Sequence, residues 1–211
     1  GVAVGPRGMP ARDEDGIVIV NTQRRALDAR LGYARVRDTL GARRAPVVLK
    51  KIDTALRGHL GAELDGALDA LEAPAFILAA IPAAGRLTRG GCQWFGDRWL
   101  ADTEFARDPE GAGAESSIPA VLARESRRRT VVIGREVVKA GQFAEVVARH
   151  RGDGVDIFVV DAESDDDVGA AVTAILSLPG PVCLVGSIAL AAALAPHLGG
   201  IATAPFAGGL E

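Results

Sequence analysis

Short runs of apolar residues alternate along the chain with stretches of helical periodicity. The runs are rich in Val and Ile and apolar at consecutive positions, which is typical of strands buried on both faces of a parallel sheet. Six runs are predicted as strands: residues 17–20, 47–52, 76–80, 130–133, 157–160 and 182–185. This alternation predicts an α/β fold of three layers, with a doubly wound, mostly parallel sheet of about six strands between two layers of helices.

The helical pattern is clearest in residues 60–71. Four leucines recur there at helical spacing, which indicates an amphipathic helix with its apolar face towards the core. The acidic residues between the leucines are predicted on the other faces of this helix; they are Glu63, Asp65, Asp69 and Glu72.

Local signals predict two helix starts and one hairpin. Ser164 suits an N-cap, because the acidic residues 165–167 would then lie in the first turn, at the positive end of the helix dipole. A second helix is expected to begin near Ser117, with Pro119 in its first turn. Residues 90–100 contain two runs bearing aromatic residues around a Gly-Asp turn, which predicts a β-hairpin excursion.

Composition limits the class of protein. The chain has 211 residues, of which 48% are hydrophobic and 24% charged, as in an ordinary globular protein. We expect residues 1–198 to form a single α/β domain, and residues 199–211 to be a Gly/Ala tail or the start of an interdomain linker, ending in a cloning scar. The net charge of −3 provides no general attraction for nucleic acids or anionic membranes.

The pattern of residues also predicts a cytoplasmic protein. The uncharged stretch 168–210 is split by Pro-Gly-Pro into pieces too short to span a membrane, and residues 1–15 lack the apolar core of a signal peptide. Cys92 and Cys183 have no metal or redox spacing and are predicted as buried thiols in a reducing compartment. The three histidines are scattered, so no metal site and no histidine-based triad is expected.

Candidate ligand-binding residues follow the predicted strand 47–52. In an open α/β sheet, ligands bind beyond the carboxyl ends of the strands. Lys51, Asp53, Thr54 and Arg57 would lie there beside backbone N–H groups, a combination that suits an anionic ligand rich in hydroxyl groups. The alternative is structural, with lysines that reach solvent along the strand end and an Arg57 that pairs with a carboxylate.

Three later strand ends add further candidates. Arg86 and Thr88 supply donors within the Gly-rich segment 81–91, although such a segment is also typical of an ordinary turn. Asp161 and Ser187 follow the last two predicted strands. Neither a dinucleotide fingerprint nor a phosphate-binding loop occurs in the sequence, so we expect no nucleotide cofactor to be bound by this chain alone.

These segments resemble the N-terminal, substrate-binding domain of the four-carbon acid sugar kinase family. The resemblance runs from about Asn21 to Ala195, and its motifs are residues 50–58 with 61–65, Pro82 with Gly85, Arg86 and Thr88, residues 103–109, 115–119 and 161–163, and Gly186-Ser187. It implies that this domain holds a threonate-, erythronate- or 3-oxo-tetronate-type acid, while a C-terminal domain binds ATP with Mg²⁺. Lys51, Arg57 and Arg86 would then clamp the carboxylate, and Asp53 and Thr54 would contact hydroxyls.

The chain also departs from the family pattern. The family's acidic Asp-Asp-Leu-Thr-Gly-Ala loop has no counterpart, and its Asn-Thr-Asp-Ser-Arg appears as residues 21–25, which makes Arg25 a further candidate. Ala55 stands where the family has a threonine, and we expect no ATP domain within these 211 residues. Phosphoryl transfer by this chain alone is therefore not expected. The alternative is a stand-alone, non-catalytic binding or regulatory module descended from such a kinase; an exposed sheet edge or the aromatic hairpin would suit a homodimer.

Overall fold

The computed structural model describes residues 2–5, 17–20, 28–41, 45–107 and 115–198. Within these residues the strands are β1 (Val2–Gly5), β2 (Ile17–Val20), β3 (Val47–Lys51), β4 (Ala75–Leu78), β5 (Arg86–Arg89), β6 (Cys92–Phe95), β7 (Arg98–Trp99), β8 (Arg129–Ile133), β9 (Val155–Val160) and β10 (Val182–Gly186). The helices are α1 (Ala29–Gly41), α2 (Leu60–Leu71), α3 (Ile118–Glu125), α4 (Arg135–Lys139), α5 (Phe143–Gly152), α6 (Asp165–Leu176) and α7 (Ile188–Leu194).

A parallel sheet of five strands, in the order β3-β10-β4-β9-β8, forms the centre of the fold. Successive residues of β4 pack on opposite faces, so Ile77 belongs to one core while Phe76 and Leu78 belong to the other. Helices α1, α2 and α3 cover the first face, and α5, α6 and α7 cover the second. The predicted three-layer, doubly wound α/β architecture is confirmed.

One of the six predicted strands lies outside this sheet. Residues 17–20 do form a strand, but β2 pairs in parallel with β1 in a separate sheet of two strands. An apolar run predicts that a strand forms, whereas its partner is decided by tertiary contacts that periodicity does not encode. The central sheet of the described residues therefore has five strands rather than about six.

The predicted hairpin is confirmed. Strands β6 and β7 pair in antiparallel orientation around Gly96 and Asp97, with Trp94 opposite Trp99. The two indole rings lie 4.9 Å apart, centre to centre. Gly96 adopts a φ of +60°, a conformation that glycine reaches without the steric penalty of other residues.

Residues 86–89, predicted as part of a Gly-rich loop, form a further strand of this small sheet. Strand β5 pairs with β6 in antiparallel orientation, and Gly90 and Gly91 make the turn between them. Thr88 is fully buried and also bridges Ala162 beyond the end of β9. Pairing and burial thus outweigh the polar local sequence, which is why the loop prediction was wrong here.

Helix α2 has the predicted bounds, the predicted N-cap at Ser164 is confirmed, and α3 begins near Ser117 as predicted. Ser117 Oγ accepts a hydrogen bond from the N–H of Ala120 at the start of α3, and Ser164 Oγ accepts one from the N–H of Asp167 at the start of α6. Both caps satisfy backbone donors that a helix leaves without partners in its first turn.

Helix α1 packs closely on α2 at a glycine. A Cβ atom at Gly66 would lie only 2.4 Å from the backbone oxygen of Tyr33, so the two helices can approach only because position 66 has no side chain. The approach also lets the Tyr33 hydroxyl donate a hydrogen bond of 2.6 Å to Asp69 Oδ2. Helix α2, whose first turn borders the candidate site, is thereby fixed from one side.

The two thiols differ in burial. Cys183 lies within β10, and burial raises the pKa of its thiol to about 12. Cys92 is only partly buried, because β6 belongs to the small outer sheet, so the prediction of two buried thiols is wrong for this residue. None of the described helices combines the length and the apolar character needed to cross a membrane.

Candidate functional site

The loop after β3, residues 52–58, begins beside the end of β10. The Ile52 N–H donates a hydrogen bond of 2.9 Å to the backbone oxygen of Gly186. Asp53 organises the turn, because its Oδ1 accepts from the N–H of Ala55 and its backbone oxygen accepts from the N–H of Leu56, both over 3.0 Å. Leu56 has a φ of +56°, yet its side chain is only 1% exposed. Burial of this leucine holds the loop in a strained backbone conformation.

An ion pair spans this loop. Arg57 Nε donates to Asp53 Oδ2, and both side chains are largely buried. Burial by itself raises the pKa of the Asp53 carboxyl, but the Ala55 N–H, the Arg57 guanidinium and the charge of Lys51 together hold it below its ordinary value. Lys51, Asp53 and Arg57 thus lie together, and Asp53 is a charged acceptor.

Arg86 reaches the same loop from the start of β5. Its Nη1 donates a hydrogen bond of 2.7 Å to Thr54 Oγ1. Its guanidinium lies over the rings of Phe95 and Phe105, at 4.8 and 5.4 Å from the ring centres. These contacts hold the second arginine beside the loop, although it lies 32 residues further along the chain than Thr54.

Thr88 lies behind Thr54 in a chain of buried hydrogen bonds. Thr88 Oγ1 donates to Gln93 Oε1 over 2.6 Å, and Gln93 Nε2 donates to the backbone oxygen of Thr54 over 3.1 Å. Both Thr88 and Gln93 are fully buried. Their hydrogen bonds join the hairpin to the loop, so Thr88 supports Thr54 in the described arrangement.

A small pocket opens between this loop and the first turn of α2. It is a shallow depression with a cavity volume of only about 10 Å³, room for about one water molecule, and its lining residues are Ile52, Asp53, Leu56, Arg57, Leu60 and Glu63. The lining thus combines two carboxylates and one guanidinium with three apolar side chains. In this lining the guanidinium is a donor suited to an anion, and the carboxylates are acceptors suited to hydroxyl groups.

Glu63 was missed as a site residue. It is paired with Lys50, whose Nζ lies 2.6 Å from Glu63 Oε2, and the two side chains are only 8% and 4% exposed. The prediction that Glu63 and Asp65 lie on the outer faces of α2 is therefore wrong, since both are buried. The signal for Glu63 is in its spacing: it follows Leu60 by three residues and precedes Leu64 by one, so it shares the apolar face.

Asp161 lies at the turn between β5 and β6. Its two carboxylate oxygens accept the N–H groups of Gly90 and Gly91, over 2.7 and 2.9 Å. Burial raises the pKa of this carboxyl above its ordinary value, although the two N–H groups act in the opposite direction. These two hydrogen bonds thus hold the turn between β5 and β6.

The remaining candidates lie elsewhere. Ser187 Oγ donates a hydrogen bond of 2.6 Å to the backbone oxygen of Ala80 and accepts from the first N–H groups of α7, which it caps. Arg25 lies outside the described residues. Among the residues that the structure describes, no group of three or more His, Cys, Asp or Glu side chains is placed to hold a metal ion.

The sequence matches the family described as "Sugar-binding N-terminal domain" over residues 5–194. Because this match covers most of the chain, the protein belongs to that family. The resemblance to the N-terminal domain of four-carbon acid sugar kinases, carried by motifs such as residues 50–58 and Arg86, is confirmed.

Two curated relatives are kinases of four-carbon acids. The chain is 34% identical to the D-threonate kinase of Salmonella typhimurium over 194 residues, which are 90% of this chain and 46% of that protein. It is 30% identical to the D-erythronate kinase of Heliobacterium modesticaldum over 159 residues, or 72% of this chain and 36% of that protein. The chain therefore spans less than half the length of the curated relatives it matches.

A solved structure extends the comparison. A domain of unknown function from Bordetella bronchiseptica, crystallised with bound citrate as a domain-swapped dimer, is 32% identical to this chain. The two superpose with a TM-score of 0.75 over 92% of this chain and 49% of that one.

Proposed function

We propose that this chain binds a four-carbon sugar acid and serves as the substrate domain of an ATP-dependent sugar-acid kinase. The observation that carries the proposal is the convergence of Asp53, Arg57, Thr54 and Arg86 at the carboxyl edge of the sheet, in a domain of the sugar-binding family. The names of the relatives, which are kinases of D-threonate, D-erythronate and 3-oxo-tetronate, support the class of substrate.

The charges and hydrogen bonds of the site suit such an acid. Arg57 and Arg86, with Lys51, would bind the carboxylate, because guanidinium groups form strong, directed hydrogen bonds with carboxylate oxygens. Asp53 keeps its charge at neutral pH and would accept from a substrate hydroxyl. Thr54 Oγ1 already accepts from Arg86, so its own hydrogen can be donated to an oxygen of the ligand.

Phosphoryl transfer is proposed for the complete kinase rather than for this chain. The transfer depends on positioning the γ-phosphate and neutralising its charge, normally with Mg²⁺ and donors at the nucleotide site. The matched threonate kinase is about twice as long as the matched segment, which supports a C-terminal nucleotide-binding partner, in the same chain or another. Alone, this chain would bind the acid without phosphorylating it.

A non-catalytic module remains the alternative to this proposal. It is motivated by residues 23 and 24 and by Ala55, which differ from the family pattern. Residues 23 and 24 lie outside the described part of the chain. Ala55, however, is buried in the core, where its methyl group packs with apolar side chains. A packing role for position 55 weakens the argument that a binding function was lost there.

Isothermal titration of the purified chain tests the proposal. The ligands are D-threonate and D-erythronate, with erythritol as a control that lacks the carboxylate, butanoate as a control that lacks hydroxyls, and ATP with Mg²⁺ as a separate arm. We expect at least one sugar acid to bind about tenfold or more tightly than either control, because each control lacks one of the two kinds of hydrogen bond that the sugar acid would make. We expect no binding of ATP.

A matched pair of variants locates the site. Arg86→Gln should weaken sugar-acid binding about tenfold or more, because it removes a charged donor next to Thr54. Arg124→Gln makes the same change at an exposed arginine and should alter affinity by less than about twofold. A folded chain that binds none of the acids contradicts the proposed function. Normal binding by Arg86→Gln would instead contradict the proposed site.

A further inference from the structure

Arg86 is held differently from the other partly buried arginines of the described residues. Each of the others forms an ion pair with a carboxylate; they are Arg57, Arg89, Arg128 and Arg135. Arg86 instead donates a hydrogen bond of 2.7 Å to the neutral hydroxyl of Thr54. Its charge lies over the rings of Phe95 and Phe105. Within the part of the chain that the structure describes, this cation is thus balanced by aromatic rings rather than by an anion.

The two rings belong to different segments that meet at Arg86. Phe95 lies in β6, and Phe105 lies in a short 3-10 helix, Glu104–Arg107, which follows the hairpin. Their ring centres are 5.1 Å apart, and both side chains pack against the core on the first face of the sheet. Residues 103–109 form one of the motifs of the family resemblance, and through Phe105 this motif contacts a candidate binding residue.

An aromatic pair prepares an arginine for an anion in a way that an internal ion pair does not. A carboxylate partner would occupy N–H donors and cancel the charge that attracts a ligand. A ring attracts the cation through the negative charge of its face, and leaves N–H donors of the guanidinium available to oxygen acceptors. The contact also restricts the rotamers of a long side chain before the ligand arrives, so less conformational entropy is lost on binding.

We infer that Phe105, together with Phe95, is a positioning residue that holds Arg86 ready for the carboxylate of the bound acid. This inference rests on the proposed function, in which Arg57 and Arg86 both contribute to that contact. It distinguishes between the two arginines, because Arg57 already forms an ion pair with Asp53. The ligand would supply the anion that the described part of the protein does not place beside Arg86, which makes Arg86 the principal anchor of the carboxylate.

A double-mutant cycle tests the inference by isothermal titration with whichever of D-threonate and D-erythronate binds the wild-type chain more tightly. Phe105→Leu keeps an apolar side chain but removes the ring, and should weaken acid binding about threefold or more. In the Arg86→Gln background the same change should alter affinity by less than about 1.5-fold, because the group that the ring holds is gone. Phe105→Tyr keeps the ring and should bind the acid within about twofold of the wild type.

The NMR signal of the Arg86 side-chain Nε–H gives a readout that needs no ligand. The signal is assigned by its loss in Arg86→Gln, and the ring currents of the two phenylalanines should place it upfield of the signals of exposed arginines. Phe105→Leu should move it towards those signals, whereas Phe105→Tyr should leave it in place. Phe95→Leu removes the other ring and repeats both measurements if Phe105→Leu does not fold.

Phe143→Leu is the matched control. Phe143 is 2% exposed and forms a tilted aromatic pair with Phe76 on the other face of the sheet, with 5.8 Å between the ring centres. Its replacement also removes a ring from an aromatic pair, but one that does not contact Arg86. The acid affinity should therefore stay within about twofold of the wild type, and the Arg86 signal should not move.

The outcomes separate this inference from the proposed function. If Phe105→Leu weakens acid binding by the same factor with and without Arg86, the ring only supports the fold and the inference is overturned. An Arg86 signal that Phe105→Leu leaves in place overturns it equally. A wild-type chain that binds neither acid contradicts the proposed function itself, and the inference with it.

Discussion

Replacing Lys50 by methionine is the sharpest test of the packing beneath the site. The change keeps an unbranched side chain, shorter by one heavy atom, but removes the ammonium group that contacts Glu63. Since the two side chains are 8% and 4% exposed, the buried Glu63 carboxylate would lose the ammonium group that lies 2.6 Å from it. Breaking a buried pair in this way costs about 3–5 kcal/mol, a large part of the 5–15 kcal/mol that typically stabilises a folded domain. For a chain of this size, that loss lowers the melting temperature by roughly 6–20 °C.

Chemical denaturation of three variants measures the effect. The double variant Lys50→Met/Glu63→Leu removes both charges and should recover most of the lost free energy of unfolding, within about 1 kcal/mol of the wild type. Arg124→Met breaks an exposed pair with Glu115 and should cost less than about 1 kcal/mol. A Lys50→Met chain that unfolds at the same denaturant concentration as the wild type would show that Glu63 is not held in a buried pair, and would refute the argument.

Three further predictions concern backbone strain, helix packing and acid stability. The free energy of unfolding of Leu56→Gly should be about 0.5–1 kcal/mol larger than that of Leu56→Ala, because φ at this position is +56° and glycine adopts this conformation without a steric penalty. If urea denaturation showed Leu56→Ala to be the more stable of the two, backbone strain at this position would be excluded. Gly66→Ala should lower the free energy of unfolding by about 1–3 kcal/mol, because the new Cβ meets the Tyr33 backbone. Gly169→Ala, which lies in open space on α6, should raise it by about 0.5–1 kcal/mol. Equal effects of the two variants in thermal melts would contradict the close approach of α1 and α2. Burial raises the pKa of Asp69, but hydrogen bonds from two arginines and Tyr33 outweigh it and lower the pKa to about 2. The stability that this carboxylate contributes is therefore present above its ordinary pKa near 4 and is lost as the pH falls towards 2. Between about pH 4 and pH 2, Asp69→Asn should lose less free energy of unfolding than the wild type. Identical losses in the two proteins would contradict the lowered pKa of Asp69.

Strands of the central sheet were predictable because burial on both faces leaves a direct mark on the sequence. Residues 76–80 and 182–185 are apolar at consecutive positions, and the structure shows why: each side chain packs against helices on one face or the other. The N-cap at Ser164 and the helix start near Ser117 were predictable for a different reason, since the start of a helix depends on bonds within a few residues.

The partner of a strand was not predictable in the same way. Strand β5 contains Arg86, Thr88 and Arg89, which locally favour a loop, and it forms only because β6 pairs with it and Ala162 bridges Thr88. Likewise the partner of β2 is the short strand β1 rather than the central sheet. Such pairings depend on contacts between residues that are distant in sequence.

The candidate site was predictable in outline only. Loops beyond the strand ends identified Asp53, Arg57 and Arg86, because open α/β sheets bind ligands at that edge. The stacking of Arg86 on Phe95 and Phe105 depends on the folding of the hairpin and has no local signal. Glu63 had a signal in its helical spacing, but an acidic residue beside leucines is more often exposed to solvent.

The most direct measurement is a crystal structure of this chain grown with D-threonate. The account predicts an ordered acid in the pocket after β3, with its carboxylate within hydrogen-bond distance of Arg57 or Arg86 and a hydroxyl at Asp53 or Thr54. An ordered D-threonate that contacts neither arginine, bound elsewhere on the protein, would contradict the central claim that this loop is the binding site.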